Sequence, residues 1–296
     1  HRHNVLVALL AFTAVSYALN IDHVSTYNPV YGYLTRFGIP EAERIRKAEE
    51  ESMRRDSKIV GGAPAEIANN PWQAGLLINI VGSTGTAVCG ASLITQQKLV
   101  TAAHCYFDGV NQGELITVVL GSNALFYGGE RIPTNNVVLH QNWLPSLVRN
   151  DVGVITLPHA VATSDVIKPI ALPSGSDLSN TFNGATARAS GFGLTSDDGG
   201  ISTSQVLSEV ELTVISNSLC TLSFPLFVRS SNICTRGTGG VGTCRGDSGG
   251  PLVANADSSP VLIGITSFGS ALGCEANIPA VFARVTAYMD FINSNL

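Results

Sequence analysis

Long apolar runs and lysines are both scarce in this chain of 296 residues. The one sustained apolar run, residues 4–18, is shorter than the roughly 20 residues that a membrane-spanning helix needs. Basic side chains precede it and the small residues Ser16 and Ala18 end it, which is the pattern of a signal peptide. We therefore expect residues 1–18 to be a signal peptide and the protein to be secreted and extracellular, without a membrane anchor.

Charged residues make up only 13% of the chain, and basic residues are the scarcer kind. The formal net charge is −5, and residues 59–296 carry nine lysines and arginines against fifteen aspartates and glutamates. An acidic body without a basic stripe argues against binding of nucleic acid.

No Cys-x-x-Cys pair occurs, and residues 1–58 contain no cysteine. The six cysteines all lie in the later part of the chain: Cys89, Cys105, Cys220, Cys234, Cys244 and Cys274. An even number of cysteines on a secreted chain predicts three disulfides, and the missing Cys-x-x-Cys pair disfavours a zinc site. We expect neither a metal nor a cofactor.

Residues 19–58 differ in composition from the rest of the chain. Positions 27–33 hold a proline, a glycine and three tyrosines, and a highly charged stretch follows from Pro40 to Lys58. Proline in a first turn followed by such residues predicts a solvated helix. This stretch has too few apolar residues to form a domain, so we interpret residues 19–58 as a pro-segment.

Short strands and polar turns dominate the sequence after Ile59. Apolar and polar residues alternate over 209–214, as in a half-buried strand, while 115–120 and 261–268 are more continuously apolar. The convincing helical pattern in this part of the chain lies at the C-terminus. The pattern predicts an all-β protein with one terminal helix.

Four short segments indicate the chemistry. Residues 101–105 read Thr-Ala-Ala-His-Cys, 150–155 read Asn-Asp-Val-Gly-Val-Ile, and 244–251 read Cys-Arg-Gly-Asp-Ser-Gly-Gly-Pro. Residues 59–62 read Ile-Val-Gly-Gly. Together they resemble the chymotrypsin/trypsin family of serine endopeptidases, and the resemblance covers 59–296. The serine segment is far more specific than the Gly-x-Ser-x-Gly elbow of α/β-hydrolases.

The resemblance implies two antiparallel six-stranded β-barrels followed by a C-terminal α-helix. We expect the first barrel at about 59–165, the second at about 184–283 and the helix at about 284–296. The substrate would bind in the cleft between the barrels.

A serine hydroxyl needs an adjacent base, and the base needs an orienting partner, before it can attack a peptide bond. The resemblance assigns the nucleophile to Ser248, the base to His104 and the orienting carboxylate to Asp151. The oxyanion hole would use the backbone N–H groups of Gly246 and Ser248, and Ser267 would support the carboxylate from behind.

The resemblance also implies the cysteine pairing and the means of activation. The pairs are Cys89–Cys105, Cys220–Cys234 and Cys244–Cys274. Cleavage after Lys58 by a trypsin-like protease would free the ammonium group of Ile59, which would turn inward and pair with Asp247, because a buried charge needs a partner.

Four positions define the expected primary specificity pocket. Gly242 lies at its base, where a trypsin carries an aspartate, and Gly269 and Ala280 match its walls. These small neutral residues predict cleavage after Phe, Tyr, Leu or Met rather than after basic residues. Arg245 would lie at the rim, either as a solvated side chain or as an attractor of acidic groups.

The pro-segment and the pocket resemble midgut chymotrypsins and collagenase-like proteases of insects, particularly moths. Arginine keeps its charge in an alkaline gut where lysine begins to lose it, which fits the scarcity of lysine. We therefore expect a monomeric digestive enzyme of the gut lumen whose partners are protein substrates, an activating protease and protein inhibitors. The alternatives are a processing protease of immunity or development and an inactive homologue that only binds.

Overall fold

Two antiparallel β structures form the body of the protein, one from each half of the chain after residue 66. The computed structural model describes residues 28–54, 66–194, 206–239, 242–269 and 274–296. The expected signal peptide, Lys58 and Ile59 lie outside the described residues.

The first structure is a seven-stranded sheet in the order β5-β4-β1-β2-β3-β7-β6. Its strands are β1 (Gln73–Ile80), β2 (Thr86–Leu93), β3 (Lys98–Thr101), β4 (Gly113–Leu120), β5 (Glu130–Thr134), β6 (Val137–Leu139) and β7 (Gly153–Thr156). Strand β2 is buried along nearly its whole length because its small and β-branched side chains pack on both faces.

The two edge strands of this sheet, β5 and β6, are consecutive in the chain. Only Asn135 and Asn136 separate them, so the sheet must curl until its edges approach each other. Thr134 Oγ1 donates to the carbonyl of Thr156 at 2.7 Å, which joins the edge strand β5 to β7, the neighbour of the other edge strand. We expected six strands here. The structure has seven because the two asparagines divide residues 130–139 into β5 and β6.

The second structure is a closed barrel of six strands, as expected, in the order β10-β13-β12-β11-β8-β9. Its strands are β8 (Thr186–Gly191), β9 (Ser208–Ile215), β10 (Asn232–Thr235), β11 (Pro251–Ala254), β12 (Val261–Phe268) and β13 (Ala280–Arg284). The alternation predicted for β9 is present, with Leu212 and Val214 buried and Glu211 and Thr213 exposed.

A buried polar contact crosses between the two structures. The hydroxyl of Ser190 in β8 donates to Gln73 Oε1 in β1 at 2.7 Å, and both residues are buried. The two β structures are therefore joined by a satisfied, buried hydrogen bond.

Three α-helices lie among the described residues. They are α1 (Ile39–Arg54), α2 (Asn217–Ser223) and α3 (Met289–Asn293), the last preceded by a 3₁₀ turn over Val285–Tyr288. The C-terminal helix is confirmed. His140 packs against the ring of Tyr288, at the end of the 3₁₀ turn, and against the ring of Phe291 in the helix. Helix α2 was not predicted; Ser216 caps it by accepting from the N–H of Leu219.

Helix α1 is not the fully solvated helix that we predicted. Ala42, Ile45 and Ala48 are buried against the body, where Ile45 joins a core cluster with Val88 and Leu125. These residues recur every three positions, so a single face of the helix is apolar enough to dock while its other faces stay charged.

The three disulfides have the pairing that the resemblance implied: Cys89–Cys105, Cys220–Cys234 and Cys244–Cys274. Within the described part of the chain, no helix has both the length and the apolar character to cross a membrane.

Candidate active site

Three loops bring His104, Asp151 and Ser248 to the cleft. His104 lies in a 3₁₀ turn, Ala103–Cys105, that follows the end of β3. Asp151 comes just before β7, directly after Asn150, whose φ of 58° turns the chain sharply. Ser248 lies in the turn that leads into β11. Each barrel thus contributes to one site.

The carboxylate of Asp151 fixes the ring and the backbone of His104. Asp151 Oδ2 lies 2.7 Å from His104 Nδ1, and Oδ1 accepts the His104 backbone N–H at 2.9 Å. The hydroxyl of Ser267 donates to the same Oδ2 at 2.6 Å. All three residues are buried, so the pair is shielded from water and the ring has one orientation.

The turn that carries Ser248 depends on glycine. Gly246 has a φ of +96°, and a Cβ there would lie 2.8 Å from the Cα of Gly193. Gly249 has a φ of +83°, and its Cβ would collide with the carbonyl of Gly90. Only glycine adopts this backbone without strain so close to other chain segments. The two glycines therefore fix the sharp turn in which Ser248 lies.

Backbone N–H groups hold the side chain of Asp247, the neighbour of Ser248. Its carboxylate accepts the backbone N–H groups of Gly193 at 2.9 Å and Cys244 at 2.8 Å. Burial raises the pKa of Asp247 to about 6, and the nearby Glu41 adds to the rise, while the two N–H donors and Arg44 oppose it. A cavity of about 230 Å³ adjoins this carboxylate and is lined by Gly191, Ser190, Leu194, Glu209, Gly242 and Thr243 among others.

The four residues assigned to substrate specificity have different surroundings. Gly242 lines the cavity beside Asp247, and a Cβ there would meet only the carbonyl of Cys274, at 3.8 Å. Ala280 is buried in β13, and a Cβ at Gly269 would touch nothing within 4 Å. Arg245 is exposed, with its guanidinium 4.9 Å from the ring centre of Phe37.

One group of potential metal ligands lies at the site. Among the described residues, Cys89, His104 and Cys105 are close enough together to hold an ion. The two cysteines form a disulfide, so neither offers a thiolate, and one imidazole alone does not make a metal site.

The sequence reasoning missed one residue in this site, Tyr33. Its ring lies edge-on to the ring of His104, with centres 4.7 Å apart, and its side chain is buried. Its hydroxyl donates to the carbonyl of Val88 at 3.4 Å. Burial raises the pKa of the phenol, and Ser248 and the backbone of Gly246 nearby oppose the rise. Tyr33 is one of three tyrosines in residues 27–33, and nothing in their spacing gives a signal of such a contact.

The sequence profile of the trypsin family, described as "Trypsin", matches residues 59–292. The chain belongs to the trypsin family. It is 37% identical over 242 residues to a collagenase of Hypoderma lineatum, covering 81% of this chain and 88% of that protein. It is 37% identical over 239 residues to brachyurin of Leptuca pugilator, covering 80% and 97% of the two chains.

A solved structure of HL collagenase has the same fold as this trypsin-family chain. The TM-score is 0.71 at 36% identity, and the match covers 80% of this chain and 98% of the other. The comparisons therefore confirm the expected two-barrel fold and the resemblance to the chymotrypsin/trypsin family. The chain is a serine endopeptidase.

Proposed function

We propose that the chain is the secreted precursor of a chymotrypsin-like endopeptidase that uses His104, Asp151 and Ser248. The observation that carries the proposal is the carboxylate of Asp151, which holds both His104 Nδ1 and the Ser267 hydroxyl beside Ser248. A buried carboxylate in this arrangement fixes the imidazole tautomer that leaves Nε2 free to accept a proton.

The reaction runs through an acyl-enzyme. Ser248 Oγ attacks the carbonyl carbon of the substrate while its proton passes to His104 Nε2, and the imidazolium then gives that proton to the leaving amine. Water repeats the sequence and releases the acid. The charge of Asp151, at 2.7 Å from Nδ1, stabilises the imidazolium in both halves of the reaction.

The N–H groups of Gly246 and Ser248 form the oxyanion hole in this proposal. The positive φ of Gly246 supports it, because glycine adopts this sharp turn beside Ser248 without strain. Loss of one such donor costs about 3–4 kcal/mol of transition-state stabilisation.

Activation follows cleavage after Lys58 by a trypsin-like protease. The new ammonium group of Ile59 enters the cavity beside Asp247 and pairs with its carboxylate. Two features support this step: the cavity adjoins the carboxylate, and the raised pKa of Asp247 means that its charge lacks a sufficient partner before the cut. The signal peptide (1–18), the pro-segment (19–58) and the mature protease (59–296) are the corresponding parts of the chain.

Cleavage after Phe, Tyr, Leu or Met follows from the small neutral residues Gly242, Gly269 and Ala280. The relatives are called collagenase and brachyurin, and by analogy this enzyme digests proteins outside the cell, in the gut lumen, as a monomer. Arg245 at the rim would favour acidic groups near the cut.

A lysine-specific endopeptidase makes the test clean, because residues 1–58 contain only Lys47 and Lys58. The chain with Lys47→Arg is cut once before the body, diluted, and assayed on peptides with Phe, Leu, Ala or Arg before the cut. We expect hydrolysis after Phe and Leu, and none with Ser248→Ala. Preference for Arg contradicts the specificity, and activity in the Ser248→Ala chain contradicts the mechanism.

A further inference from the structure

Residues 28–54 lie across the active-site cleft in a way that activation at Lys58 does not require. Asn28 Nδ2 donates to the carbonyls of Pro145 and Ser146 at 2.8 and 3.0 Å. The N–H of Leu34 donates to Asp108 Oδ2 at 2.8 Å, and Leu34 is fully buried. These contacts join the segment to two loops that flank the triad.

The side chain of Tyr33 lies against His104, the proposed base. Its buried ring is edge-on to the imidazole, with ring centres 4.7 Å apart, and its hydroxyl donates to the carbonyl of Val88. Burial raises the pKa of the phenol, and Ser248 and Gly246, which lie nearby, oppose the rise. Within the described residues, His104 Nε2 has no hydrogen-bond partner, so the base is not bonded to the nucleophile that it must activate.

The segment is not held as a substrate. Tyr33 has helical dihedral angles, φ −52° and ψ −46°, and a π-helical turn over Leu34–Gly38 follows directly. The group that lies against His104 is the side chain of a tyrosine, which contains no peptide bond to cleave. A peptide bond reacts only when its carbonyl carbon reaches the nucleophile in line, so this backbone resists hydrolysis.

A second set of contacts lies along α1, away from the triad. The carboxylate of Glu49 accepts the N–H groups of Leu125 and Phe126 at 2.6 and 2.9 Å, and Glu49 is buried. Charge-assisted hydrogen bonds of this kind are about twice as strong as neutral ones. Nearer the triad, Glu41 is buried beside Gly246 and pairs with Arg44.

We propose that residues 28–54 are an inhibitor of the mature protease that stays bound in the cleft by these contacts after the chain is cut at Lys58. The proposal rests on the proposed protease function and adds a second way in which the enzyme is kept inactive. Cleavage allows Ile59 to reach Asp247, but the active site opens only when the segment dissociates or is itself degraded. The segment contains no cysteine, so no disulfide retains it and binding alone sets the inhibition.

The full chain with Lys47→Arg is cut at Lys58 with the lysine-specific endopeptidase. Size-exclusion chromatography then shows whether the segment stays with the body. The rate of hydrolysis of a Phe-containing peptide is measured over a range of dilutions. We expect the segment to elute with the body at micromolar concentration. Activity per mole should rise at least ~10-fold on dilution, as a bimolecular equilibrium requires.

Three variants locate the binding energy. Loss of a buried interfacial tyrosine in Tyr33→Ala should weaken binding by about 30-fold. Tyr33→Phe keeps the ring and loses only the hydroxyl, so we expect about 3–10-fold. Glu49→Gln touches nothing near the triad and should weaken binding by about 10-fold. Glu43→Gln, an exposed neighbour on α1, is the matched control and should change nothing.

Co-elution is repeated with the cut Ser248→Ala chain, which separates binding from catalysis. Separate elution of the segment, together with full activity at micromolar concentration, overturns the inhibitor. An unchanged affinity in both Tyr33→Ala and Glu49→Gln also overturns it. If the segment co-elutes but no hydrolysis occurs at any dilution, the result contradicts the protease function and supports the binding of the segment to the body.

Discussion

Asp247 is the residue whose surroundings the proposed activation changes most. In the uncut chain its carboxylate has two backbone N–H donors, with Glu41 and Arg44 nearby, and its pKa is raised to about 6. A folded-state pKa above the unfolded value of about 3.9 means that folding favours the protonated form. The contribution of this carboxyl group to the free energy of unfolding is therefore fully present at low pH and is lost as the pH rises from about 4 to about 6.

Asp247→Asn tests this directly, because the asparagine cannot titrate. The free energy of unfolding of both uncut chains is measured with denaturant at pH 4, 5, 6 and 8. The difference, variant minus parent, should increase as the pH rises through that window. After cutting at Lys58 the same variant should be inactive, since Ile59 then lacks its partner. A pH-independent difference in the uncut chains would contradict the shifted pKa.

Helix α1 shows how few contacts can hold a charged element on a protein surface. Its apolar face is narrow, and two buried carboxylates supply the specific contacts. Burial raises the pKa of Glu41 against Arg44 and Arg245, which oppose the rise. Burial likewise raises the pKa of Glu49 against the Leu125 and Phe126 N–H groups and Arg131.

The bound segment thus holds protons more tightly than the free segment. Its affinity for the cut Ser248→Ala chain should fall as the pH rises from about 4.5 towards neutral, since the raised pKa values apply only to the bound state. Burial also raises the pKa of Tyr33, so affinity should fall again above about pH 10, where the free phenol ionises. Titration calorimetry across this range measures both steps, and an affinity that increases with pH would contradict the account.

Much of the whole molecule was predictable from short motifs and their order. The motif around each triad residue and the alternation in β9 led to the two-barrel fold, the disulfide pairing and the placement of Asp151 beside His104. Local patterns carry this information because the family fixes where each motif lies.

The docking of residues 28–54 could not be predicted in the same way. Asn28 bonds to Ser146 across 118 positions in the chain, and no local pattern encodes such a contact. The apolar spacing of Ala42, Ile45 and Ala48 was the available signal, but a surrounding excess of charge concealed it. Helix α2 was missed because its residues have modest helix propensity and its N-cap and disulfide stabilise it instead.

Covalent labelling of Ser248 by a fluorophosphonate, followed by peptide mass analysis, is the most direct test of the central claim. Ser248 is predicted to be the one labelled residue in the cut and diluted chain, and Ser248→Ala should take up no label. In the uncut chain labelling should be at least about 100-fold slower, because the Tyr33 ring lies against His104, the base that must activate Ser248. Labelling of another residue, or equal rates in the cut and uncut chains, would contradict the account.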